Sequence, residues 1–306
     1  MTPVSLPDEV RAACAWVAGQ ARLVMIDEAK VGAYAAGLTE LHPFNDEGQT
    51  GSDPEAAAAF AICMNAINFG SGWWPTVRKR PGMSGYSTMA AGVTERFADE
   101  GPWTPEELVA IDAPAIAAVL GQDPSHPLMA EFAAALRDVG AHVLAEHGGR
   151  YLAVVEAADS VPGLAEVFAA WESFADASEY EGRRVPFFKR AQLAAADLHR
   201  AGLARLPGAE RLTAFADNLV PHVLRVDGVL RLDPQLTAAI EAGELLAHGS
   251  AEEVELRAAA VHAVELLAAA VGGALSPAEV DGALWNRGRG RRYKAVPRPR
   301  CRNIAY

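Results

Sequence analysis

Two charged side chains stand where their surroundings demand a reason. In Tyr180–Asp197 (YEGRRVPFFKRAQLAAAD), Pro186 favours entry into a helix over Phe187–Asp197, with Phe188, Lys189 and Arg190 at its start. A lysine there meets the positive end of the helix dipole, a small cost. A solvated surface lysine is the simpler reading. The chemical one is an anion held by Lys189 together with the free N–H groups of the first turn. Asp217 falls late in Arg205–Val220 (RLPGAERLTAFADNLV), among Leu212, Phe215, Ala216, Leu219 and Val220. A carboxylate in an apolar wall must be paired, capping or functional. A cap or salt bridge is the simpler pattern. The functional reading is a negative charge facing a developing cation, such as the oxocarbenium-like state of N-glycosidic cleavage.

A second cluster is aromatic. In Ile67–Pro75 (INFGSGWWP) an apolar helix ends on two glycines, followed by Trp73 and Trp74, two of only six tryptophans. This is either a tight core corner or a wall for a flat ligand. In the second case Phe69 and the tryptophans would stack on the ligand, with Gly70 and Gly72 letting backbone approach. Base stacking of about 1–3 kcal/mol would make such a wall worthwhile. His42, in the loop stretch LHPFN, titrates near neutrality and can bind phosphate or shuttle protons, although a loop histidine is usually just exposed. Ser84-Gly85-Tyr86 reads as a helix cap, or as a tyrosine leaning over a ligand.

No GxxxxGK[ST], GxGxxG, HExxH or GxSxG motif occurs. The three cysteines, Cys14, Cys63 and Cys301, are far apart, and no CxxC pair or Cys/His spacing suggests zinc or an iron–sulfur cluster. The expectation is no cofactor and no metal, with water as the second substrate.

These groups need a scaffold. The 306 residues suffice for a sizeable core, as one unit or two packed helical lobes with no clear linker. The longest apolar run, Ala258–Val271, carries His262 and Glu265 and is too short to span a bilayer. No basic start leads into an apolar run, so no secretory signal is expected, and a reducing cytoplasm fits the cysteine usage. Net charge is −12, which argues against a general nucleic-acid binder. The eight basic residues of 287–302 contain no acid between them: an ordinary solvated tail, or a local anion site suited to a small phosphorylated ligand.

Helix signals dominate. Ser52/Glu55, Thr104/Glu107, Ser250/Glu253 and Ser276/Glu279 have capping-box spacing. Further helical runs are expected over roughly 8–38, 84–99, 127–146, 163–176, 187–202 and 234–246. Tyr151–Val155 is the one short β-like run. The fold class is mostly α.

The order of the motifs resembles the queuosine salvage protein family, the queuosine 5′-phosphate N-glycosylase/hydrolases. The resemblance rests on His42 in LHPFN, Asn68-Phe69 with Trp73, Ser84-Gly85-Tyr86, Tyr180–Val185, Phe188–Gln192 with Asp197, Leu212–Asp217, Leu284-Trp285, and the closing Arg302, Ile304 and Tyr306. It spans nearly the whole chain. It departs at Trp285-Asn286, where the family often has Trp-Asp, and at Ala305-Tyr306, where an aromatic pair is expected. The resemblance implies an all-helical fold related to helix-hairpin-helix DNA glycosylases. LPGAERLTA is similar to that hairpin, with Glu210 in place of its second glycine.

The resemblance also implies hydrolysis of queuosine 5′-monophosphate to queuine and ribose 5-phosphate, without cofactor. Asp217 and Lys189 would be catalytic. Asn68, Phe69, Trp73, Trp74, Tyr86, Phe188, Arg190 and Trp285 would contact substrate, with His42, Arg302 and Tyr306 as phosphate candidates. Two other classes compete: a glycosylase acting on DNA or RNA, and a non-catalytic queuosine or tRNA-binding module.

Overall fold

The structure, a computed structural model, describes residues 4–38 and 53–306. Helices dominate these residues, and several begin where capping chemistry places them. Thr104 and Ser276 each accept from the backbone N–H three residues on, and Glu107 and Glu279 return the bond, so both boxes close. At Ser250 only half the box forms: the Glu253 carboxylate turns to the Gly249 N–H at 3.0 Å. Asp53 caps Pro54–Ala66 through the Glu55 N–H; Ser52 lies outside the described residues.

Three expectations are corrected. The run 8–38 is two helices, Leu6–Gln20 and Glu28–Ala36, separated by the strand Val24–Ile26. The buried Glu255 carboxylate draws the chain out of helix there, accepting from the N–H groups of Arg22, Leu23 and Val24 at 2.7–3.0 Å. Tyr151–Val155 is helical, part of Tyr151–Glu156. Tyr151, Val154 and Val155 bury one face at helical spacing, and the Glu55 carboxylate takes the Tyr151 and Leu152 N–H groups. The run 163–176 gives a helix over Val161–Ala169 and a separate 3₁₀ turn at Glu172–Phe174.

A hairpin pairs Ala177–Tyr180 with Arg183–Pro186. Its turn residues Glu181 and Gly182 both have positive φ, 47° and 77°, as a two-residue type I′ turn requires. Val24–Ile26 pairs antiparallel with Leu230–Leu232, and Leu245–Leu246 pairs parallel with Arg300–Cys301. At LPGAERLTA the glycine turn is present, with Gly208 at φ +90°. A 3₁₀ turn at Ala209–Arg211 and extended chain follow it, and the next helix is Leu219–Val226.

The helix Ala251–Ala270 is buried on most of its surface. Leu6–Gln20, Glu28–Ala36 and Pro277–Gly288 pack against it. On the other side Lys189–Arg200 packs on Val161–Ala169 and on Pro54–Ala66, with Ala191, Ala194 and Ala195 fully buried at those contacts. No helix of the described residues is long and apolar enough to cross a membrane.

Candidate active site

Between these layers runs Leu212–Asp217, a buried extended segment without a strand partner. Its backbone groups must still be satisfied, and side chains from other elements do so. Gln192 accepts from the Thr213 N–H at 3.0 Å. Asp281 accepts from the Phe215 N–H at 3.1 Å. Arg257 donates to the Ala216 carbonyl at 3.1 Å. The segment ends at Asp217, whose Oδ1 accepts from the Leu219 and Val220 N–H groups at 2.7 and 3.1 Å. Asp217 is therefore the cap of Leu219–Val226, and the cap uses one carboxylate oxygen. The neighbouring Asn218 amide donates to Ser71 at 2.8 Å and to the Pro299 carbonyl at 3.2 Å, tying Asp217 to the glycine loop and to the C-terminal tail.

Lys189 is brought within electrostatic reach of Asp217. Its helix starts from Phe188 in a left-handed conformation, φ +49°. The misfit of a cation at that end is answered by Asp176, whose carboxylate accepts from the Lys189 N–H at 3.0 Å. Asp176 is in turn locked to Arg257 by two bonds of 2.9 and 2.7 Å. The Lys189 ammonium donates to the Asn68 carbonyl at 2.9 Å. Burial brings its pKa down to about 8, against the pull of Asp217.

A second buried carboxylate, Asp281, completes the set, and sequence reasoning missed it. Burial holds its pKa well above the carboxylate range, the Asp217 charge adds to that, and Lys189 opposes it. The signal was available: Asp281 sits among Val280, Ala283 and Leu284, the same kind of apolar setting that drew attention to Asp217. The two carboxyl groups meet unlike surroundings, Asp281 deeply buried and raised chiefly by that burial, Asp217 only half-buried at its cap.

With this arrangement in view, the comparisons with known proteins are decisive. The family model for queuosine salvage proteins matches residues 48–306. The chain belongs to the queuosine salvage protein family. A relative from Sphaerobacter thermophilus named queuosine 5′-phosphate N-glycosylase/hydrolase is 33% identical, covering 95% of each chain. Relatives of the same name from Mus musculus and Dictyostelium discoideum are 29% and 25% identical, covering 87% and 100% of this chain and 86% and 100% of theirs.

Most of the other residues singled out by the queuosine salvage resemblance fall into two groups. Some brace the fold. Phe69 is buried edge-on against Phe132. The fully buried Arg190 guanidinium donates to the carbonyls of Ala66, Ser173, Ile304 and Ala305. Phe188 is buried under Arg184. The Tyr306 ring lies under Arg257 at 4.4 Å and its backbone carbonyl accepts from the Gly70 N–H. Gly72 serves the same end: a Cβ there would overlap the Cys301 carbonyl, so the glycine admits the protein's own tail.

Others form a half-buried aromatic edge. Trp74 lies against Gly85, where any Cβ would strike the indole. Tyr86, the next residue, meets Trp285 edge-to-face at 6.2 Å. Trp285 stands four residues after Asp281, so both share one helix face. Trp73 points elsewhere, against His126 and under the exposed Arg302, with its Nε1 lacking a hydrogen-bond partner among the described residues. His42 lies outside the described residues.

The basic tail supplies further cations that the resemblance did not single out. The charge of Arg298 reaches Asp217, and burial lowers its pKa. Lys79 lies 4.9 Å over the Trp74 ring, and after its own desolvation it is lowered by Arg298 and Lys294. Lys79 is thus held in the field of two other cations, next to the aromatic edge. Such a cluster is suited to an anion.

Proposed function

We propose that this chain hydrolyses the N-glycosidic bond of queuosine 5′-monophosphate, releasing queuine and ribose 5-phosphate. Beyond family membership, the observation that carries this reading is Asp217 in electrostatic reach of the buried Lys189, with a second, deeply buried carboxyl, Asp281, interacting with both. A 7-deaza base has carbon where a purine has a basic N7, so protonation at N7 cannot help it leave. The work falls on the sugar. Asp217 faces the ribosyl cation as the bond to the base lengthens, in a site where charge is little screened. Water supplies the hydroxyl that replaces the base. Lys189 in its charged form holds the Asn68 loop and balances Asp217 before the ribosyl cation develops.

Trp74, Tyr86 and Trp285 flank the flat base, and Lys79, Lys294 and Arg298 take the 5′-phosphate. The net charge of −12 and the small basic cluster suit a mononucleotide better than a polymer. Buried Cys14, Cys63 and Cys301 thiols suit a reducing cytoplasm.

Incubation with queuosine 5′-monophosphate, followed by chromatography for free queuine, tests the reaction. Plain queuosine should be cleaved at least about 100-fold less efficiently, because charge-assisted phosphate contacts are lost from the transition state. Equal cleavage of nucleoside and nucleotide would remove the cation cluster from the mechanism.

The pH profile follows from Lys189. As pH rises through about 8 the lysine loses its proton, and the charged form the reaction uses disappears. The kcat/KM profile should therefore fall on its alkaline side with a midpoint close to 8. A rate that stays flat or climbs through that range would mean that charged Lys189 is not required.

A further inference from the structure

Outside the Asp217–Lys189 pair, one cluster of donors has no part in the proposed reaction. His248, Glu253 and Cys301 each place one ligand atom so that all three lie within 4.8 Å of one another. Glu253 and Cys301 are both 1% exposed, whereas His248 is open to solvent. A buried carboxylate oxygen should have a hydrogen-bond donor. Glu253 Oε1 has none among the described residues. The carboxylate's neighbours are the Tyr306 hydroxyl and two longer ionic contacts, His248 Nδ1 at 3.6 Å and Arg257 Nη1 at 3.6 Å. The Arg257 contact, at 3.6 Å, is an ion pair longer than a hydrogen bond, while the same guanidinium bonds both oxygens of Asp176.

We infer that His248, Glu253 and Cys301 form a binding site for a borderline-soft divalent metal of the zinc class. A thiolate, a carboxylate and a neutral imidazole neutralise a 2+ ion and match its ligand preference, leaving a fourth position for water. Metal–ligand bonds of about 2.0–2.3 Å need donors roughly 3.3–3.7 Å apart, and His248 Nδ1 and Glu253 Oε1 stand at 3.6 Å. The outer contacts are in place. Glu253 Oε2 accepts from the Gly249 N–H at 3.0 Å, and the backbone at Cys301 is fixed by its pairing with Leu246. The ligands come from a loop, the first turn of the Ala251–Ala270 helix and the tail, so no local sequence spacing betrays them. Cys301 and Glu253 also line the crevice that Asp217 and Tyr306 share. A metal here would pin the tail to the body beside the active site.

The test is binding to untagged, chelator-treated full-length protein, and it requires no turnover. Cobalt(II) should titrate at one equivalent with a near-ultraviolet thiolate-to-metal charge-transfer band, and zinc should displace it. Cys301→Ser should abolish that band. His248→Ala, at an exposed position, should weaken zinc more than about 100-fold, beyond the 10–100-fold typical of losing an outer contact. Both variants should keep the wild-type far-ultraviolet circular dichroism. Absence of the band in the wild type, or wild-type zinc affinity in His248→Ala, would overturn the site.

Discussion

Asp217→Asn should reduce queuine release about 1000-fold or more while leaving nucleotide binding and the fold in place. The substitution is unusually clean. Asn and Asp are equally good N-caps, and the bonds Asp217 makes here, to the Leu219 and Val220 N–H groups, need only an acceptor oxygen. Asparagine keeps that cap and removes the charge alone. The ground-state nucleotide does not need the charge, whereas the ribosyl cation does, so the loss should appear in kcat and not in KM. Asp217→Ala loses charge and cap together and should cost about 1 kcal/mol of stability in addition. Near-normal turnover in Asp217→Asn would reduce the residue to the capping role that its sequence context already allowed.

Asp176→Ala should be the most damaging single change to stability, at about 3–5 kcal/mol. Asp176 and Arg257 are each about 1% exposed and bonded through both oxygens and both terminal nitrogens. Removing the carboxylate leaves a buried guanidinium whose nearest other carboxylate, Glu253, is 3.6 Å away. The same change frees the Lys189 N–H and slackens the start of that helix. By contrast, Glu9→Ala breaks the exposed pair with Arg184 and should cost less than about 1 kcal/mol. Denaturant midpoints of the two variants measure the difference; a loss at Asp176 as small as that at Glu9 would show the buried pair to be dispensable.

The helical class and the individual caps at Thr104 and Ser276 were legible because they depend on residues three or four apart. What was not legible depends on partners far along the chain. The break after Gln20 is imposed by Glu255, and the helix at Tyr151 is capped by Glu55; neither acid is near in sequence. Lys189 and Asp217 stood out because each was locally misplaced. Asp281, Arg257 and Asp176 are misplaced in the same sense but went unremarked. Phe69 and Arg190 had the types expected of ligand contacts, and both are buried, Phe69 against Phe132 and Arg190 on backbone carbonyls. The two adjacent tryptophans, which invite a single reading, serve different neighbourhoods because the 3₁₀ turn at Ser71–Trp73 ends between them.

The ties on Leu212–Asp217 also have a kinetic meaning. Thr213 is held from 21 residues away, Phe215 from 66 and Asn218 from 147. Each closure costs loop entropy before its contact is gained. The core is closed by ties as long, such as Glu255 to the Val24 N–H across 231 residues. Activity in this protein would therefore report that distant parts of the chain have met, because the proposed catalytic carboxylate stands at the end of a segment held from far along the sequence.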